Sequence, residues 1–169
     1  MCAADDPAFA EDRLVCRRML FRKRYRYRFG DIDRAGIAYY PGLLHAFHCA
    51  MEDWWAEGLG TSYHQVMQIE NFGMPAVRLE AEFFAPIRYG DEPWIHLGVL
   101  RVGRSSVELG FWMTLGEGDS APACRARITT VGVDMRDLSS VPIPERWRAA
   151  FAAWSLPETG FPGPPARGA

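Results

Sequence analysis

The chain has 169 residues, 49% of them hydrophobic, and a formal net charge of −2. That is enough apolar side chain for one cored domain, and the charge balance offers no global attraction to nucleic acid or to an anionic membrane. No apolar run approaches bilayer-spanning length, and the acidic start MCAADDPAFAED lacks the pattern of a signal peptide.

Cys2, Cys16, Cys49 and Cys124 form no C-x-x-C pair and no zinc spacing, so reduced thiols in a cytoplasmic protein are expected. Three segments are expected: a flexible arm over 1–17, a single domain over 18–154, and a Pro/Gly-rich flexible tail over 155–169 that is not expected to pack.

In chain order, Phe21, Lys23, Tyr25, Tyr27 and Phe29 alternate with Arg22, Arg24, Arg26 and Arg28. This predicts a strand with one largely aromatic face, expected in the core, and one basic face. Leu43, Leu44, Phe47, Ala50, Met51, Trp54 and Trp55 then recur at helical spacing, with Gly58 as a stop. TSYHQVMQ reads as a short helical turn. Strand patterns follow at about 74–84, 92–102, 106–115 and 123–134, clearest where Val107, Leu109, Phe111, Met113 and Leu115 share a face. A last short helix is predicted from Pro144. One apolar helix and a meandering antiparallel sheet argue an α+β fold, with the sheet wrapped around the helix.

Between the first strand and the helix stands FGDIDRAGIAYYPGLL. Two readings of Asp31 and Asp33 are open from the residues. Asp caps helices, because its carboxylate accepts orphan N–H groups and suits the positive end of the dipole. An ionised Asp can equally attack a carbonyl, or activate water beside one, if that carbonyl is polarised by the free N–H groups near Tyr40 and Gly42. A thioester suits such sparse equipment: its leaving thiol has a pKa of roughly 8.5 by the cysteine reference and needs little acid help. No Ser/His/Asp arrangement or G-x-S-x-G elbow is present.

FGDIDRAGIAYYP resembles the signature of the 4-hydroxybenzoyl-CoA thioesterase family of hotdog-fold proteins, and the order of elements over about 20–135 matches. The resemblance implies that Asp33 is the catalytic carboxylate, that the backbone N–H of Tyr40 polarises the thioester carbonyl, and that Asp31 is structural. It also implies that the GRSS segment, with Arg104, Ser105 and Ser106, contacts the pantetheine and nucleotide of CoA. Ser105 stands where the hydroxybenzoyl enzyme has Lys, Gly42 where the family usually has Asn, and Arg34 where Pro or Ala is common. His48 falls where that enzyme carries an Asp for the para-hydroxyl, which turns the expectation toward benzoyl-like acyl groups.

Other constellations are weighed beside this one. His45, His48 and Glu52 have helical spacings that suit a metal, but no second cluster completes a shell, so pocket lining or subunit contacts are preferred. The Arg-rich strand would bind RNA only if its aromatics were exposed for stacking. Tyr39 is expected to line an aryl pocket; Trp54, Trp55, Phe47 and Phe72 are candidates for it that read first as core. Glu52 is a reserve carboxylate. The expectation is an acyl-CoA thioesterase without metal or redox cofactor, CoA arriving with the substrate, no nucleic-acid or membrane partner, and assembly as a homodimer or dimer of dimers. An aliphatic acyl-CoA or acyl-carrier-protein thioesterase and a non-catalytic acyl-CoA-binding protein are the alternatives.

Overall fold

The computed structural model describes residues 20–118, 121–157 and 159–165; the arm expected over 1–17 lies outside them. Seven strands and three α-helices follow in order: β1 (Phe21–Arg24), α1 (Tyr40–Asp53), α2 (Tyr63–Ile69), β2 (Phe72–Gly73), β3 (Ala76–Phe83), β4 (Trp94–Val102), β5 (Ser106–Thr114), β6 (Cys124–Val131), β7 (Val133–Asp134) and α3 (Glu145–Ala152). Five strands make one antiparallel sheet in the order β1-β4-β5-β6-β3, and β2 pairs with β7 in a small second sheet.

Helix α1 forms because its apolar residues return to one side every third or fourth position. Leu43, Ala46, Phe47 and Ala50 are buried, and the Phe47 ring meets Phe111 of β5 at 5.2 Å. Burying a Phe of this kind stabilises the fold by about 3 kcal/mol relative to exposure. Past Asp53 the helix widens into a π-helical turn, Trp54–Gly58. Trp54 and Trp55 there pack against Phe151 and Trp147 of α3. Gly58 is required by close approach, since a β-carbon would stand 2.6 Å from Trp54 Cδ1. The turn with positive φ comes at Gly60, at +75°.

The first strand is shorter than its alternation predicts. Pairing with β4 ends at Arg24, although Tyr25 and Tyr27 still donate backbone N–H groups to Pro93 and Asp91. Tyr27 is buried, but Phe29, expected in the core, is 85% exposed. It begins a 3-10 turn, Phe29–Asp31, closed by the Arg28 N–H on Asp31 Oδ2 at 2.8 Å, and that turn takes it off the sheet.

The tail also differs from expectation. β4 and β5 are buried on both faces. Val107, Leu109, Phe111 and Met113 share the face that meets α1 through Phe111, while residues after α3 cover the other. Ser155 bridges Val99 in parallel, and Leu156 N–H bonds to Val99 O at 2.8 Å. Leu156 then lies on Gly98, and Phe161 on Gly110. Phe161 also meets the Trp112 ring edge-on at 5.9 Å and packs under Arg127 at 4.7 Å. Between Leu156 and Phe161 the segment turns, with Gly160 N–H on Pro157 O at 2.8 Å, and these two apolar anchors hold this strap on the sheet.

Under the strap, His96 stacks on Trp112 at 5.0 Å and 7° between ring planes. Burial, reinforced by the charge of Arg22, lowers its pKa to about 4.

Candidate active site

The segment from the 3-10 turn to α1 is held by short-range backbone bonds. Tyr39 N–H donates to Asp31 O at 3.0 Å, Ala38 N–H to Ile87 O at 2.7 Å, and Asp33 N–H to Ile37 O at 2.9 Å. Gly36, with φ +78°, closes the Asp33 loop through its N–H on Asp33 O. Only glycine adopts that conformation without strain.

Neither aspartate caps α1. Asp31 Oδ2 binds the Arg28 N–H, and Asp33 Oδ1 accepts the Ala35 N–H at 2.7 Å. The N-cap of α1 is Tyr39, which makes no side-chain cap bond, and Pro41 sits in the first turn. Pro41 brings no N–H, Gly42 N–H turns back to Tyr39 O, and the Tyr40 N–H has no acceptor among the described residues. The helix therefore presents one free N–H at its positive end. Asp33, with Oδ1 occupied, keeps Oδ2 open.

Asp33, Tyr39 and Tyr40 border one hollow of about 450 Å³, together with Ile37, Leu43, Phe83, Phe84 and Ile87. Apart from Asp33 and the tyrosine hydroxyls, its walls are apolar. Tyr39 and Tyr40 meet edge-on at 5.2 Å. The walls from residues 83–87 were not foreseen. Their signal is FFAPI, where Pro86 breaks a strand pattern that would otherwise continue.

The other expected residues lie elsewhere. His48 Nε2 is 2.9 Å from Glu52 Oε1 on the exposed side of α1, while His45 Nε2 is 3.5 Å from Cys49 Sγ. His45, His48 and Glu52 thus do not converge as a triad. Arg104 and Ser105 use backbone carbonyls to accept Ile143 and Gly132 N–H groups. Ser106 borders a separate charged hollow of about 250 Å³ with Arg78, Arg101 and Arg127. Trp54, Trp55, Phe47 and Phe72 are core.

A thioesterase-superfamily structure from Jannaschia sp. CCS1 superposes with a TM-score of 0.74 at 25% identity, covering 81% of this chain and 94% of that one. A sheet curled round one long helix in this way is the hotdog fold of thioesterases. The chain belongs to the thioesterase-like superfamily, whose profile matches residues 27–151. Among its relatives, a 1,4-dihydroxy-2-naphthoyl-CoA hydrolase of Prochlorococcus marinus is 31% identical over 135 residues, 73% of this chain and 83% of the relative. One of Synechocystis sp. is 25% identical over 121 residues, 72% and 86% of the two chains. The protein is an acyl-CoA thioesterase. No helix among the described residues is long and apolar enough to cross a membrane.

Proposed function

We propose that this thioesterase hydrolyses an aromatic, benzoyl-like acyl-CoA to the free acid and CoA in the cytoplasm. The observation that carries the reading is the shared hollow, which joins one carboxylate, one free helix N–H and apolar, aromatic walls. The thioester carbonyl accepts the Tyr40 N–H, which gains strength as the oxygen becomes an oxyanion. Asp33 acts through Oδ2, either by attacking the carbonyl carbon to form an anhydride that water then hydrolyses to the free acid, restoring the carboxylate, or by taking a proton from a water that attacks directly. The CoA thiolate leaves without a donated proton. The relatives named above act on an aromatic acyl-CoA, which supports the aryl class. The hollow adds few polar groups that would select for ring hydroxyls, which favours the unsubstituted ring.

Assembly as a homodimer or dimer of dimers is part of the proposal. β3 is an edge strand, and Val77, Leu79 and Phe83 stand exposed along it, Phe83 at the hollow. Such an edge pairs readily with a second copy. His48, Arg104, Ser105 and Ser106 do not border the hollow of their own chain, so their substrate contacts are proposed to come from that second copy.

Thiol release from a panel of benzoyl-, hydroxybenzoyl-, naphthoyl- and aliphatic CoA esters tests the reading. The highest kcat/KM is expected for benzoyl-CoA. A clear preference for aliphatic chains would overturn the aryl assignment, and a preference for the hydroxylated rings would overturn the benzoyl-like one.

A further inference from the structure

We infer that Arg125 is a positioning residue through which the C-terminal strap holds the Phe83–Phe84 wall of the hollow in the shape that selects the acyl group. The inference rests on the aryl-CoA reading and deepens it.

The wall needs holding. β3 ends at Phe83, and both Phe84 N–H and Ala85 N–H turn to a single acceptor, Ala123 O, at 2.8 and 3.0 Å. Behind Phe84 and Ala85, among the described residues, lies a second hollow, of about 380 Å³, which Pro165 of the strap borders. The same two residues thus border both the active-site hollow and this second one. A stretch with a hollow on each side has little packing of its own to fix it beyond these main-chain bonds, so what grips it from the side matters.

Arg125 supplies that grip. On β6, with its side chain 16% exposed, it bonds through Nε to Glu82 Oε2 at 2.6 Å, directly before the wall. Its Nη1 donates to Pro162 O of the strap. The guanidinium also lies against the rings of Phe84, at 5.7 Å, and Phe161, at 5.5 Å. One planar, forked cation therefore joins strap to wall by two hydrogen bonds and two ring contacts, which a lysine cannot reproduce. Phe161 in turn is seated on Gly110 and Trp112, so the strap is anchored on the sheet.

The test uses the full chain with Arg125→Lys and, separately, Phe161→Ala, which touches neither wall nor hollow. Kinetics with benzoyl-CoA and butyryl-CoA are measured beside amide hydrogen exchange at residues 84 and 85, with thermal melting as the check on folding. In both variants exchange at these two amides is expected to rise. KM for benzoyl-CoA should rise roughly tenfold, the order of one lost pocket contact, with kcat and butyryl-CoA kinetics little changed. Unchanged exchange at 84 and 85 would overturn the inference, as would KM values for the two esters moving together. If the wild type releases thiol from no aryl ester, the functional reading fails and acyl selection with it, while the exchange measurement still decides whether the strap holds the wall.

Discussion

Gly98 of β4 and Gly110 of β5 face each other in register, and Leu156 and Phe161 occupy the bare ground they leave. A β-carbon at Gly98 would lie 2.5 Å from Leu156 Cγ, and one at Gly110 would lie 2.8 Å from Phe161 Cδ2. Gly98→Ala and Gly110→Ala are each expected to dislodge the strap and to cost about 1–3 kcal/mol, the usual range for overpacking. Urea denaturation gives the cost, and limited proteolysis after Ser155 should show the strap released. A fully protected strap in both variants would contradict the role of these glycines.

Asp33 and Asp31 are expected to separate in their effects. Asp33→Asn keeps the size of the side chain and removes its charge. Turnover should fall by roughly 10²–10⁴-fold, the order for loss of a general base, with melting unchanged. Asp31→Asn weakens the bond from the Arg28 N–H and should lower stability by about 1 kcal/mol while turnover persists. Normal turnover in Asp33→Asn would move the chemistry elsewhere, with Glu52 the first residue to test.

The backbone donor at Tyr40 can be removed without removing the helix. Proline is accepted in the first turn of a helix. Tyr39, at φ −67° and ψ 130°, already has the extended conformation that a residue before proline requires. Tyr40→Pro should therefore fold and lose kcat by roughly 10²–10³-fold, as removal of an oxyanion donor does. Tyr40→Ala, which keeps the N–H, separates loss of the donor from loss of the ring. Equal kcat in the two variants would argue against this amide.

His96 makes stability depend on pH. The Thr114 hydroxyl donates to Gly116 O, so it accepts from His96 Nε2–H at 3.0 Å, and Nδ1 is left buried without a partner among the described residues. The folded ring ionises at about 4, an unfolded histidine at about 6.5. Between the two, the unfolded chain binds a proton that the folded chain refuses. The contribution is full above about pH 6.5, falls as pH drops toward about 4, and falls no further below that; its size is on the order of 3 kcal/mol. Denaturation midpoints over this range should slope less in His96→Gln than in the wild type. Parallel slopes would show that another group carries the dependence.

Much of the fold was legible because its signals are local. The spacing of Leu43, Phe47, Ala50 and Trp54 predicts α1, and the alternation from Val107 to Met113 predicts β5. The expected Asp33, Tyr39 and Tyr40 do meet at one hollow, because a short loop and a helix start bring neighbours in sequence together. Non-local complementarity escaped. Nothing near Phe161 announces that Gly110, far back in the chain, leaves room for its ring, so a Pro- and Gly-rich run reads as loose. The first strand misled in the opposite way. Its alternation continues through Phe29, but pairing with β4 ends at Arg24, and the turn closed by Arg28 N–H on Asp31 then carries Phe29 away.

The parallel bridge between Ser155 and Val99 has a further consequence, for the valency of the molecule. Beyond the four residues of β1, β4 has its free flank taken by the chain's own far end. β1 itself is brief and carries Arg22 and Arg24, features that discourage strand addition. Among the described residues, the long open flank of the main sheet is then β3. A sheet that can grow from one side only joins a single like neighbour and stops, because a two-fold pairing uses the same flank in both copies. The strap, by closing one side, makes a finite pair rather than a fibre the natural product of edge-to-edge contact.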